Sequence, residues 1–159
     1  MPETAPLPTI RRAGPQDAGE LADLFWRVRE ESVPNIPMIA HPRETVLPFV
    51  RDVLLRDFEV WVAVAERRLV GFLALMAPDH LGHLYLERAH TGHGLGSRLV
   101  ELAKERFPDG LRLWAFESNE GAVRFYERHG FVAVDRTDGD NDERAPDVLM
   151  VWPGQAAQT

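Results

Sequence analysis

The sequence predicts a single α/β domain on a mixed central sheet, and three observations carry that expectation. Strand-like and helix-like hydrophobic periods share 159 residues, a length that closes one core but not two full domains. Three strand patterns follow one another in mid-chain with only short turns between them, which marks an antiparallel meander. Later strand patterns are separated by helical ones, so flanking helices cross between those strands. A hydrophobic share of 45% and a charged share of 27% are ordinary globular values, against a disordered or fibrous chain. One domain is expected over residues 1–159, with its core from Thr9 to Trp152.

Thr9 to Ala13 reads as a short first strand. Pro15-Gln16-Asp17 then opens a helix in which Leu21, Leu24, Phe25 and Val28 recur at helical spacing as far as Arg29. Glu30 to Pro42 holds three prolines and an asparagine with little periodicity, so it reads as an irregular loop of the kind that lines sites. Arg43 to Leu55 carries Val46, Leu47, Phe49, Val50, Val53 and Leu54 in a second helix. Val60, Val62 and Val64 alternate as a strand, Glu66-Arg67-Arg68 forms a solvated turn, and Leu69 to Met76 returns as the hairpin partner. Leu81, Leu84 and Leu86 mark the third strand. Leu95, Leu99, Leu102 and Ala103 keep helical spacing until Phe107-Pro108-Asp109-Gly110 stops the helix. Leu111, Leu113 and Ala115 alternate as a strand; Ser118-Asn119 caps a helix that Gly130 ends. Phe131 to Val134 and Val148 to Trp152 supply the last two strands, and the second is expected at an edge, able to pair across a homodimer.

A net charge of -7 has the wrong sign for affinity based on neutralising phosphates, so no nucleic acid partner is expected. It suits a cationic substrate. Cysteine is absent, which excludes disulfides, cysteine-ligated zinc and thiol nucleophiles. With no basic and apolar leader and no run of about 18 or more apolar residues, a cytoplasmic protein with no membrane partner is expected. His80, His83, His90 and His93 do not make a metal site on this reading. An odd separation in a strand puts His80 and His83 on opposite faces, and the other pair straddles a glycine turn.

The stretch from Thr91 to Ser97 places Gly92, Gly94 and Gly96 at alternate positions and runs directly into a helix. A helix front leaves about four N–H groups unpaired and carries the positive end of the helix dipole, so a bare one binds anions. The nucleotide P-loop requires Lys-Ser/Thr after its last glycine, whereas Ser97-Arg98 follows Gly96. The dinucleotide fingerprint belongs after the first strand of a βαβ unit, not after a meander. There remain the pyrophosphate loop of an acyl-coenzyme A enzyme and, against it, glycines that serve only tight packing.

LYLERAHTGHGLGSRLVELA followed by LWAFESNEGAVRFYERHGFVAV resembles the GNAT superfamily of N-acetyltransferases. Asn119, Ala122, Phe125, Tyr126, Gly130 and Phe131 fit its N-x-x-A-x-x-F-Y-x-x-x-G-F pattern at every position. The loop departs from the family in having Thr91 at a position that is commonly Gln or Arg, and His93 at one that is often basic. The segment TDGDNDERAPDVLMVW is similar to a bacterial subgroup of uncertain substrate, with an acidic N-x-E-x-x-P-D segment between its last strands. The resemblance implies a GNAT-like fold and an N-acetyltransferase that uses acetyl-CoA to acetylate a primary amine by direct attack through a tetrahedral intermediate. It also implies pantetheine along Leu84, Tyr85 and Leu86, with a backbone N–H near Leu84 for the oxyanion. Pyrophosphate would lie on Thr91, Gly92, His93, Gly94, Leu95, Gly96 and Ser97, Asn119 would contact the cofactor or cap its helix, and Tyr126 would be the general acid.

The attacking amine must lose a proton. His83, Tyr85 and Glu87 share one strand face as candidates, with Glu30, Glu31, Asp142 and Glu143 in neighbouring loops; His83 is preferred for a pKa expected near neutrality. A non-catalytic acyl-CoA-sensing module and a purely structural domain are the competing readings. Neither would show turnover on an amine.

Overall fold

The structure is a computed structural model that describes residues 7–33 and 42–158. Strands β1 (Thr9–Arg12), β2 (Glu59–Ala65), β3 (Arg68–Met76), β4 (His80–Leu86), β5 (Leu111–Phe116), β6 (Val132–Thr137) and β7 (Asp147–Trp152) form one seven-stranded sheet in the order β1-β2-β3-β4-β5-β7-β6. The meander β2-β3-β4 is antiparallel as expected, and β4 to β5 is the single parallel neighbour pair. Helix α1 (Ala18–Ser32) and a second helical segment α2 (43–57) cover one face; α3 (Leu95–Arg106) and α4 (Glu120–Arg128) cover the other.

α1 and α3 bury the stripes their spacing predicts, whereas in α2 Leu47 and Val53 are 41% and 37% exposed. Leu21, Leu24, Phe25 and Val28 of α1 pack with Val60, Val62 and Phe72, while Leu95, Leu99 and Ala103 of α3 pack with Leu73, Leu75 and Leu113. α2 is not a regular helix: a 3-10 turn, one α turn, a π segment Val50–Leu54 and a last α turn succeed one another, and the shifts keep Val46, Val50 and Leu54 all inward.

Three expectations change. α1 runs through Glu30 and Glu31 to Ser32, whose hydroxyl donates to the Val28 carbonyl at 2.7 Å; the remainder of the expected loop, Pro34 to His41, lies outside the described residues. The β2-β3 turn is exposed as expected at Glu66, Arg67 and Arg68; Glu66 and Arg67 take left-handed φ values of 52° and 67°, the conformation of a tight hairpin, and Arg68, 54% exposed, also reaches the buried Glu87. Strand β7 lies between β5 and β6, so the edge is β6, not Val148 to Trp152.

The third change is a bulge. His83 pairs with Ala74 and Leu81 with Leu75, leaving Gly82 as an extra residue. His80, opposite Met76, and His83, opposite Ala74, therefore share a face, and the odd-number argument fails. A Cβ on Gly82 would sit 2.6 Å from the Phe58 ring. Among the described residues no group of three or more His, Asp or Glu is placed to hold a metal ion.

Candidate active site

β4 and β5 touch through one bridge, His80 to Arg112, closed by Arg112 N–H donating to the Asp79 carbonyl at 2.8 Å. Past it they share no pairing and the sheet parts. The gap is the centre of a cavity of about 810 Å³, within the roughly 300–1,000 Å³ typical of ligand sites. Leu81 to Leu86 line one wall and Leu113 to Phe116 the other; the end of α1, the front of α3 and the helix α4 complete it. The β4 peptide groups facing that gap have no neighbouring strand, so they are the ones an extended ligand arm would meet.

At the mouth, Gly92 and Gly94 take φ of 80° and 86°, and a Cβ on either would meet nothing within 4 Å. The loop therefore presents backbone toward open space, ahead of α3 N–H groups that a helix front leaves unpaired. Gly96 is different: its Cβ would lie 3.2 Å from the Phe125 ring and 3.4 Å from Leu86, so it serves close packing while still lining the cavity. Both readings of the glycines thus apply, to different residues.

Side chains of the loop contribute less than expected. Thr91 and Ser97 line the cavity, but the Thr91 hydroxyl donates to the Arg88 carbonyl at 2.8 Å and the Ser97 hydroxyl lies 3.1 Å from His129 Nε2. His93 is exposed and Leu95 is buried in the core, and neither is among the lining residues. Arg128 of α4, which no spacing in the sequence distinguishes from the solvated Arg124, lines the cavity without an ion-pair partner among the described residues.

The loop is anchored from behind. Glu87, 4% exposed, pairs with Arg27 at 2.9 Å and with Arg68 and lies 3.0 Å from His90 Nδ1, and its N–H donates to the Val70 carbonyl at 2.9 Å. Glu31 accepts from the Arg88 N–H at 2.9 Å, tying the end of α1 to the same turn. Glu87 and Glu31, considered above as proton acceptors, are engaged in holding the exit of β4.

Tyr126 is buried, packs its ring against Phe125 and Phe131 and lines the cavity. Its hydroxyl has no hydrogen-bond partner among the described residues. Burial, and then the neighbouring Tyr85, hold its pKa well above the ordinary tyrosine value. Asn119 does both things expected of it: its Oδ1 accepts from the Ala122 N–H at 3.3 Å as the cap of α4, and it lines the cavity.

His83 lines the cavity from the other face of β4, ringed by Phe25, Phe49, Phe58, Phe72 and Tyr85 at centroid distances of 5.7 to 6.2 Å. The expected near-neutral pKa is not found. Burial, followed by the charges of His80 and Arg29, takes it to about 4, so the ring is neutral at pH 7 and a weak base. Tyr85 accepts a hydrogen bond from Arg29 at 3.3 Å, and burial raises its pKa.

A sheet parted between parallel strands, with a bare helix front at its mouth and a protonated phenol inside, is the layout of an acyl-coenzyme A-dependent transferase. Comparisons with known proteins narrow this. Residues 56–133 match the model of the "Acetyltransferase (GNAT) domain". The chain is 32% identical over 134 residues to the peptidyl-lysine N-acetyltransferase YjaB of Escherichia coli K12, covering 84% of this chain and 88% of the relative. To YiaC, a peptidyl-lysine N-acetyltransferase of the same organism, it is 30% identical over 107 residues, 67% of this chain and 72% of that one. The solution structure of apo YjaB from Escherichia coli superposes with a TM-score of 0.74 at 30% identity, covering 94% of this chain and 100% of that one. The PaiA N-acetyltransferase of Thermoplasma acidophilum, in complex with coenzyme A, gives 0.69 at 22% identity over 92% and 98% of the two chains, a likeness of fold. The chain belongs to the GNAT family of acetyltransferases. It is an N-acetyltransferase with acetyl-CoA as co-substrate.

Proposed function

We propose that the chain acetylates the side-chain amine of lysine in peptides or proteins. The observation that carries the proposal is the parting of β4 from β5 with Tyr126 inside the gap; the peptidyl-lysine activity named for YjaB and YiaC supports the acceptor class. The β4 edge at Leu84, Tyr85 and Leu86 holds the pantetheine arm. Gly92, Gly94, Gly96 and Ser97 offer backbone N–H groups to the pyrophosphate, with Arg128 as the cation beside them. His93 and Leu95 act through the shape of the loop, and Asn119 through the start of α4.

Tyr126 gives its proton to the departing thiolate, and a β4 backbone N–H near Leu84 stabilises the oxyanion. His83 takes the role of a neutral wall of the acceptor end rather than of the base. The acetyl group supplies the electrophile and the amine's proton leaves to solvent water in the cavity; orientation and protonation of the thiolate fall to these residues.

Among the described residues no helix is long and apolar enough to cross a membrane. The proposal places the protein in the cytoplasm, where coenzyme A thioesters are available, with no nucleic acid partner. It pairs two copies along β6, whose Val132 and Val134 are 60% and 58% exposed. Val134→Lys would then shift sedimentation from dimer to monomer, and an unchanged profile removes this edge from the interface. The acceptor reading is tested by mass spectrometry of a lysine peptide and the same peptide with Lys replaced by Arg, each incubated with acetyl-CoA. Acetylation of the first alone is expected; acetylation of neither, with saturable acetyl-CoA binding, would move the acceptor to a small amine.

A further inference from the structure

The loop between β6 and β7 has more internal bonding than a surface connection needs. The Thr137 hydroxyl bonds the buried Asp147 carboxylate and accepts from the N–H groups of Gly139 at 3.3 Å and Asp140 at 3.2 Å. Asn141 Nδ2 donates to the Ala145 carbonyl at 2.7 Å and to Asp147 at 3.1 Å, while its Oδ1 accepts from the Ala145 N–H at 3.2 Å. Arg144 takes a left-handed φ of 54° and Gly139 one of 118°, and a Cβ on Gly139 would lie 2.9 Å from the Arg144 carbonyl, so the loop doubles back tightly. The Asn and Asp of the acidic N-x-E-x-x-P-D segment are thus the fasteners of a rigid turn.

What that turn holds is Glu143, the loop's contribution to the cavity wall. Its side chain is 16% exposed, and Oε1 lies 3.4 Å from Nη2 of Arg29, itself 8% exposed. Arg29 is fixed in turn by Tyr85 at 3.3 Å and lies over the Phe116 ring at 5.9 Å. The pair is end-on rather than the forked contact that arginine and carboxylate form when they satisfy each other. Glu143 Oε2 accepts nothing among the described residues, so half of a largely buried carboxylate keeps its acceptor capacity inside the active-site cavity.

We propose that Glu143 is the docking point for the ammonium group of the acceptor, and hence a specificity-determining residue for alkyl amines. The inference rests on the reading of this cavity as an amine acetyltransferase site. Arg29 offsets the carboxylate before the amine arrives, so the charge is not left buried alone. Once the amine is seated, the same guanidinium weakens the carboxylate's preference for the ammonium form, and the proton shed before attack passes to solvent water in the open cavity.

Glu143→Gln keeps size and an oxygen for Arg29 while removing the charge. Titrating Nα-acetyl-lysine amide into the coenzyme A complex of each protein measures docking without turnover. The dissociation constant is expected to rise about 10- to 100-fold in the variant, with Tm and acetyl-CoA affinity unchanged, and Glu143→Asp should recover part of the loss. Equal affinity in Glu143→Gln overturns the proposal, as does failure of the parent protein to bind the probe. A parallel fall in Tm and acetyl-CoA affinity overturns it too, because that marks a structural ion pair. Turnover of a lysine peptide is followed separately: probe binding that depends on Glu143 without any acetylation would sink the lysine reading and leave the docking site standing.

Discussion

Tyr126 can act as an acid only while it holds its proton, and its surroundings see to that. Burial and the second phenol of Tyr85 disfavour the phenolate, so the acid form persists through pH ~10 and kcat should show no alkaline loss from this group below that. Tyr126→Phe removes only the hydroxyl; kcat is expected to fall about 10²-fold with acetyl-CoA affinity unchanged, and an unaltered kcat would take Tyr126 out of the reaction. His83 leads to a prediction about stability instead. Its pKa falls from an ordinary 6.5 to about 4, so between those values the unfolded chain binds more protons than the folded one. Stability therefore rises with pH across this window and is lost as pH falls through it, by roughly 3 kcal/mol once pH lies below the folded pKa. Denaturant titrations of His83→Phe between pH 4 and 6.5 should show a shallower slope than the parent protein. His80 and His129, lowered chiefly by burial as well, leave a remainder; an identical slope would mean that the ring is not desolvated.

At the scale of elements, the glycine loop joins two mechanisms that substitutions separate. Gly94→Ala puts a Cβ on a left-handed residue, costing roughly 1–2 kcal/mol, and points it into the open space before α3. Acetyl-CoA affinity should drop about 10-fold or more. Gly96→Ala instead presses on Phe125 and Leu86, so calorimetry should find Tm lowered by more than affinity is. A common pattern for both variants would mean that the loop has a single role. The loop and α4 were legible in the sequence because their determinants are local: glycine spacing, an Asn cap and a hydrophobic stripe. The extra residue at Gly82 was not, because a bulge is defined by the partner strand, and it reverses the parity on which the faces of His80 and His83 depend. The end of α1 was missed for a related reason. Glu30, Glu31 and Ser32 carry no apolar period, yet they continue the helix and reach the turn after β4 through Glu31 and Arg88. Arg29 and Arg128 look like any surface arginine in the sequence; only the assembled cavity shows which basic side chains face it.

The whole molecule is a sheet in two parts, β1 to β4 and β5 to β7, whose strands meet through one bridge at His80 and Arg112. α3 and α4 pack together across the parting, with Leu95, Leu99 and Tyr126 in the same core as Leu73, Leu113 and Met150. The gap is therefore held open by packed helices on one side, and its walls lack the ladder hydrogen bonds that join every other neighbouring pair of strands. A ligand arm seated along β4 would replace part of that missing ladder, contact both halves at once and bind the native state alone. Binding of that kind stabilises by mass action, by about 2.7 kcal/mol at a hundred times the dissociation constant. In a chain of this size that corresponds to a rise in Tm of roughly 5–10 °C. Scanning calorimetry with and without acetyl-CoA should show this shift in the parent protein and in Tyr126→Phe, and one about half as large or less in Gly94→Ala at the same concentration. Equal shifts in all three would place the coenzyme away from the helix front, and no shift in any would mean that the parting of β4 and β5 does not receive it.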